Sequence, residues 1–385
     1  MGATLADVRK ILVHSASTTA QIFAGATTAL VPITTQALAA RSTHIEAQAA
    51  LALSIGVGAF LAAVLSSTIL ETRLTSKFSQ PLSYVPRWST VAGLVGCAGI
   101  LLSLLTPIGL ILGTPLVMTS LALGRTHGVI AHRWKSESHA GLAMLAGSLG
   151  ALLLMFFSWQ LGIILLTFGT IFAIVIRAAG QPTKLVSSPP RSAYAKVAFE
   201  TTVTASVPLV LNVLVFALLT NPEAVAFRML LSVLGVLQPL LGFLRTRLLV
   251  SRSPSLIAAL SSASLAALLC IVVAHLLGLF TFVLGSAWGQ VSTATLVAAC
   301  LWKVASIPPT VPFSELRRGG YLDALLRLRI LTSILFITAG TVSLWLVHSL
   351  FGTFVALCIT EAVCAVIYFV VAARVSDRSQ QKDPL

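Results

Sequence analysis

Charge is what this chain has least of. Of 385 residues only 9% are Asp, Glu, Lys or Arg, against about 25% in an ordinary soluble domain. Acids are scarcer still, with 11 Asp and Glu against 25 Lys and Arg. So few charges cannot cover a water-facing surface. A hydrophobic content of 57% and a mean hydropathy of +0.98 place the chain in a bilayer instead. Long polar stretches are missing as well, which leaves no room for a soluble catalytic domain.

Several chemical signatures are also lacking. There is no Gly-x-Gly-Asp, Gly-x-Ser-x-Gly, His-Glu-x-x-His or Walker sequence, and the loops opposite the basic ones are only a few residues long. An enzyme acting on an exported lipid or sugar needs carboxylates there, so no enzyme is expected. The five cysteines, Cys97, Cys270, Cys300, Cys358 and Cys364, all lie in apolar runs without Cys-x-x-Cys spacing. They read as small buried hydrophobes, and neither a metal nor a cofactor is expected. Ala6 stands where a myristoylation motif wants Ser or Thr. No cleavage-site pattern follows the first apolar run, which is expected to be a retained helix.

What the chain has is apolar runs of membrane length. A hydrocarbon core of about 30 Å needs roughly 20 such residues per helix. Spans are expected at 12–39, 46–70, 88–106, 108–132, 139–157 and 159–178, then 196–220, 222–249, 254–284, 289–312, 324–348 and 352–374. The formal charge of +14 falls in the short segments between them. That distribution points to topology and to anionic lipid headgroups, not to nucleic acid. Lys and Arg fall almost wholly on one side, from Arg9 and Lys10 through Arg133, Arg177, Arg245 and Arg317 to Lys382, with Arg41 nearly alone on the other. By the positive-inside rule both termini are cytoplasmic, in agreement with twelve spans. Trp159, Trp288 and Trp345 fall near the outer ends and Trp88 and Trp134 near the inner ends, as an aromatic belt would.

The Pro- and Ser-rich segment near 179–195 reads as a linker between two six-helix halves. Expected boundaries are 1–180 for the first bundle, 181–195 for the linker, 196–374 for the second bundle and 375–385 for a cytoplasmic tail. A faint repeat supports duplication: Glu46-Ala47-Gln48-Ala49 recurs as Glu223-Ala224-Val225-Ala226, and Gly58 matches Gly235 at the same offset. Duplicated halves are a common plan of secondary transporters.

The stretch Asn221–Val250 reads as one membrane-spanning helix, opened by Asn-Pro-Glu and closed by Arg245 and Arg247. Arg228, Gln238 and Pro239 lie inside it. Arg228 sits roughly 8 Å past Glu223, close enough to the surface to snorkel and deep enough to face a cavity. Arg125 in the fourth span, Lys303 before Ser306-Ile307-Pro308-Pro309 and Glu361 near the midplane are the other ionisable groups at depth. Arg125 shares a face with His132, and the two either line a cavity or reach the inner interface. Basic groups with one acid around a common cavity suit an anionic headgroup such as a pyrophosphate, because Arg binds phosphate oxygens bidentately. Thr27, Thr28, Thr34, Thr35 and Gln36 in the first span either bond their own helix or form a sugar-contacting wall opposite Asn212 and Gln238.

Phe227-Arg228 followed by Leu234-Gly235-Val236-Leu237-Gln238-Pro239-Leu240 resembles a pattern in bacterial polysaccharide flippases. So do Ser66-Ser67-Thr68-Ile69-Leu70-Glu71, Leu121-Ala122-Leu123-Gly124-Arg125 and Leu284-Gly285-Ser286-Ala287-Trp288. The chain is similar over nearly its full length to the O-antigen and lipid-linked oligosaccharide flippases of the multidrug/oligosaccharidyl-lipid/polysaccharide exporter superfamily. The resemblance implies an all-α polytopic protein of the bacterial plasma membrane, with two six-helix bundles around a central cavity. It implies flipping of an undecaprenyl-pyrophosphate-linked glycan by alternating access. Arg228, Arg125, Lys303, Gln238 and Asn212 would meet the substrate, and Glu361 would pair with a cation or carry a coupling proton or sodium ion. The alternatives are an antiporter for drugs or organic cations, a membrane glycan-processing enzyme and a non-transporting scaffold.

Overall fold

A backbone in hydrocarbon must satisfy its own polar groups, and helices do so within one segment. The computed structural model describes residues 5–75, 84–131, 133–179, 191–250 and 254–382, and no strand occurs among them. The first half comprises α1 (Leu5–Ser42), α2 (Ile45–Thr75), α3 (Tyr84–Leu102), α4 (Ile108–Ile130), α5 (Trp134–Leu154) and α6 (Trp159–Ala178). The second comprises α7 (Arg191–Leu218), α8 (Asn221–Gly235), α9 (Gln238–Val250), α10 (Pro254–Leu276), α11 (Leu279–Leu284), a 3-10 turn at Ser286–Gln290, α12 (Thr293–Ala305), α13 (Thr310–Arg318), α14 (Leu322–Val347) and α15 (Leu350–Lys382).

Among the described residues ten helical stretches are long and apolar enough to cross a membrane, with α12 and α13 sharing one of them. The bent pair α8 and α9 supplies an eleventh leg, and the shorter apolar helix within α3, Arg87–Leu102, a twelfth. These legs make the two expected six-helix bundles. In the first, α3 packs on α4 and α6, α1 on α5, and α2 on α4. In the second, α15 packs on α12 and α14, and α14 on α7. Glycines allow the closest pairings. A Cβ at Gly169 would stand 2.6 Å from Gly147 Cα, and one at Gly113 would stand 2.5 Å from Gly96 O. One continuous apolar core, including Phe227, Trp288 and Phe354, runs through both bundles.

Four expectations need correction. Asn221–Val250 is two helices bent by 46°. Pro239 has no N–H, and its ring would clash with the carbonyl of Gly235 four residues earlier, so the helix gives way between them. Val236 and Leu237 bridge the break with bonds to the carbonyls three residues back, Val233 O and Leu234 O. The span expected at 254–284 stops at Leu276, because Gly278 adopts φ +73°, a left-handed conformation that ends a helix. Trp288 is 0% exposed and so belongs to the core, whereas Trp88 (69%) and Trp345 (65%) are exposed as a belt requires. Residues 191–195 of the expected linker already belong to α7, and 180–190 lie outside the described residues.

Candidate functional site

The ends of the legs that carry Arg87, Lys135, Arg177, Lys196 and Arg317 form a basic end, and Arg41, Glu46 and Glu223 lie at the opposite, neutral end. Between them the bundles meet along a seam where α2 packs on α7 and α8, and α1 on α8 and α9.

Arg228 stands in that seam. The capping box of Thr220 and Glu223 starts α8 and occupies the Glu223 carboxylate, leaving Arg228 two turns further in. Its side chain does not snorkel to the neutral end. It is 6% exposed, its Nη2 donates to Ile55 O of α2 at 3.4 Å, and its Nε has no hydrogen-bond partner. No carboxylate among the described residues pairs with it. One turn along α2, Asn212 Nδ2 donates to Ala52 O at 3.3 Å, and Asn212 Oδ1 is buried without a partner. Gly56 makes this approach possible, since a Cβ there would stand 2.8 Å from Asn212 Nδ2. Gln36 of α1 completes the group. Its Nε2 donates to Ser232 Oγ at 2.7 Å, Ser232 Oγ donates to Arg228 O at 3.0 Å, and Gln36 Oε1 has no partner. One donor and two acceptors thus remain open in a buried polar knot between the bundles. Unsatisfied buried polar atoms are costly, and a native fold that keeps several together has a use for them.

The other cations expected to share this site stand elsewhere. Arg228 is roughly 10 Å from the neutral end, whereas Arg125 is roughly 8 Å from the basic end. The Arg125 guanidinium rests against Gly25 of α1 beside Pro239 of α9, and it lies within electrostatic reach of Glu137 and Arg177. His132 lies outside the described residues. Lys303 is at mid-depth in the second bundle, its Nζ 4.1 Å from the Trp302 ring centroid and within electrostatic reach of Glu361. Lys303 and Glu361 thus share one region of the second bundle, and the structure does not bring Arg125, Arg228 and Lys303 into a single ring. Gln238 is exposed at the bend between α8 and α9. The hydroxyls of Thr27, Thr28, Thr34 and Thr35 bond carbonyls of their own helix, as Thr27 does to Phe23 O and Thr35 to Val31 O, so they form no free wall.

Two buried charge clusters at the basic end replace what sequence reading took for loop cations. In the first bundle Arg177 Nη2 meets Glu137 Oε2 at 2.9 Å, with both side chains nearly inaccessible. In the second, Arg317 of α13 lies between Glu200 of α7, 3.1 Å away, and Glu71 of α2, while Arg329 of α14 reaches Glu200 at 3.5 Å. Arg317 thus bridges the bundles. The signal in the sequence was the acids: Glu71, Glu137 and Glu200 stand at the basic ends of apolar spans, where an unpaired carboxylate has no reason to be. At the neutral end, Arg41 Nη2 donates to Phe282 O at 2.8 Å and lies over the Phe156 ring, which stacks on Phe282. Among the described residues no group of three or more His, Cys, Asp or Glu could hold a metal ion. An apolar cavity of about 500 Å³ opens between α10 and α12, away from the seam.

No protein-family model matches the chain, and no curated protein does. Solved structures do match. A multidrug resistance MATE family transporter of the MOP superfamily, outward-facing, aligns over 96% of this chain and 96% of its own, at TM-score 0.55 and 14% identity. An inward-facing MATE transporter covers 97% of this chain and 99% of its own, at 0.52 and 13%. A MOP superfamily transporter from Pyrococcus furiosus, described by a binding pocket of reverse polarity that suggests a different function, covers 97% and 96%, at 0.54 and 13%. At such identities the likeness is one of architecture, and this chain has the fold of the MATE transporters of the MOP superfamily.

Proposed function

We propose that the chain is a flippase that carries an undecaprenyl-pyrophosphate-linked oligosaccharide across the bacterial plasma membrane by alternating access. The observation that carries this reading is Arg228, a buried cation in the seam without a carboxylate partner among the described residues. A charge so placed is expensive unless a ligand of opposite sign visits it. The glycan head enters from the basic end, which faces the cytoplasm along with both termini, while the polyprenyl tail stays in the bilayer. The bundles 1–180 and 196–374 rock about the 181–195 linker. Arg125 meets the pyrophosphate near the entrance, and Arg228 and Asn212 hold it in the seam. Gln238 lies at the bend that moves. Lys303 and Glu361 form the pair through which a proton or sodium ion couples. Arg228→Ala is expected to abolish flipping of labelled lipid-linked sugar in vesicles while the protein remains folded. Transport at the parent rate would refute the reading.

A second reading, an antiporter for organic cations, is favoured by the multidrug MATE transporters among the fold's neighbours. The fold accommodates both readings. The polarity of the seam favours the anion, since Arg228 repels a cationic drug and no acid among the described residues offsets it. The Pyrococcus furiosus transporter with its pocket of reverse polarity is a precedent for such variation within one fold. Uptake of a fluorescent organic cation that survives while glycan flipping is nil would establish the antiporter.

A further inference from the structure

Arg317 is carried by an unusual element. α13 is only nine residues long, with Pro308 and Pro309 before it and Gly319 and Gly320 after it. The prolines break the ladder from α12, where Ile307 falls back on Val304 O and Thr310 on Ile307 O. Gly320 has φ +79°, a conformation that residues with a side chain rarely adopt. The helix is therefore jointed at both ends, and Arg317 sits in its last turn with its side chain buried.

The charges around it cancel across the seam. Glu71 belongs to the first bundle, and Arg317, Glu200 and Arg329 to the second. Together the four groups are formally neutral. Parted, the first bundle keeps one negative charge and the second keeps one positive charge. The contact of Arg317 with Glu71 is an ionic link between the bundles that must break if the basic end opens. Glu200 and Arg329 belong to the same bundle as Arg317, and the Phe313 ring lies against both guanidinium groups, its centroid 5.5 Å from Arg317 Cζ and 4.2 Å from Arg329 Cζ. The second bundle thus keeps its arginine in place whether or not Glu71 is there. We propose that Arg317 on the jointed helix α13 is a cross-bundle latch, closed on Glu71, that holds the basic end shut. This rests on the alternating-access reading, although its test needs no substrate.

The test is a distance measurement between spin labels at Lys135 and Arg327, exposed sites at the basic end of the first and second bundle, respectively. The five native cysteines are replaced by alanine, and a second pair at Gln160 and Gln290 reports on the neutral end. Glu71→Gln is expected to raise the ratio of long to short distances at the basic end at least tenfold. Glu200→Gln, which leaves the cross-bundle contact intact, is expected to change it by less than about threefold. Exchanging the charges, with Glu71→Arg and Arg317→Glu together, restores the short distance. Should Glu71→Gln fail to fold, Glu71→Asp keeps the charge but shortens its reach and is expected to shift the ratio the same way. An unchanged ratio in the Glu71 variants, or an equal shift from Glu200→Gln, would overturn the latch. Such a failure would leave the flippase reading standing, and a failure of lipid-linked sugar flipping would leave the latch standing.

Discussion

Replacing one member of the Glu137–Arg177 pair tests whether these charges work inside the protein or merely mark its topology. Arg177 Nη2 donates to Glu137 Oε2 at 2.9 Å, Nε stands 3.2 Å from both carboxylate oxygens, and Nη1 reaches Leu121 O at 3.3 Å. One side chain on α6 thereby ties α5 and α4 together. The carboxylate rests directly on Gly128, where a Cβ would stand 2.1 Å from Oε1, so the fold leaves a glycine-sized place for it. The side chains are 3% and 2% exposed. An exposed pair contributes about 0–1 kcal/mol, but removing one member of a buried pair costs about 3–5 kcal/mol because the other is left uncompensated.

The two single variants should differ. Glu137→Gln removes the acid within electrostatic reach of both Arg177 and Arg125, whereas Arg177→Gln leaves Arg125 within reach of Glu137. The first is expected to be the more damaging, with both near the buried-pair range of about 3–5 kcal/mol. The double variant should cost less than the sum of the two by at least about 1 kcal/mol, the mark of coupling. Unfolding can be followed with a thiol-reactive fluorophore, since Cys97, Cys300 and Cys364 are buried in the folded protein. Single variants that each cost under about 1 kcal/mol, or costs that simply add, would refute the argument and return Arg177 to the list of surface cations.

Two further substitutions probe the seam and its neutral end. A methyl at position 25 would stand 2.6 Å from Pro239 Cβ and 2.7 Å from the Arg125 guanidinium, so Gly25→Ala should wedge α1 from α9. The expected result is faster labelling of cysteines introduced at the basic end, and labelling at the parent rate would contradict it. Trp288→Phe removes the bond from Nε1–H to His275 Nδ1, 3.1 Å long, while keeping most of the ring against Phe280. A loss of about 1 kcal/mol is expected from the missing bond, against about 3–5 kcal/mol for Trp288→Ala, and thermal unfolding distinguishes the two.

The twelve legs were legible because an apolar run of membrane length has few other uses. The break after Gly235 was legible in principle, since Pro239 stands four residues further on, but apolar residues continue through it and hide the joint. The charge clusters were not legible. Glu137 and Arg177 are 40 residues apart and Glu200 and Arg317 are 117 apart, so their meeting depends on which helices pack together. Counting Lys and Arg at span ends finds the basic end but cannot tell exposed Arg318 from buried Arg317 beside it. Of the expected site, Arg228 and Asn212 were brought to the same helix of the opposite bundle. Arg125 and Lys303 kept their depth but went to other neighbours.

If the halves share one frame, as the sequence repeat leads one to expect, their asymmetries are informative. Leu51 of α2 and Arg228 of α8 stand at corresponding places, both buried, and only the second carries charge. At the basic end the first bundle neutralises Arg177 with its own Glu137, while the second sends Arg317 across to Glu71. The neutral end closes with less. There the clasp is the bond from exposed Arg41 to Phe282 O and its stacking on Phe156, and an exposed cation over a ring contributes about 0.5–1 kcal/mol. Parting the buried pair at the basic end leaves two uncompensated charges unless water or a ligand replaces each partner. On the latch reading, the empty carrier parts first at the neutral end, and opening the basic end needs something to replace Glu71 beside Arg317. On the flippase reading an anionic headgroup arriving from the basic side has the sign to do so, and Arg228 lies deeper in the seam.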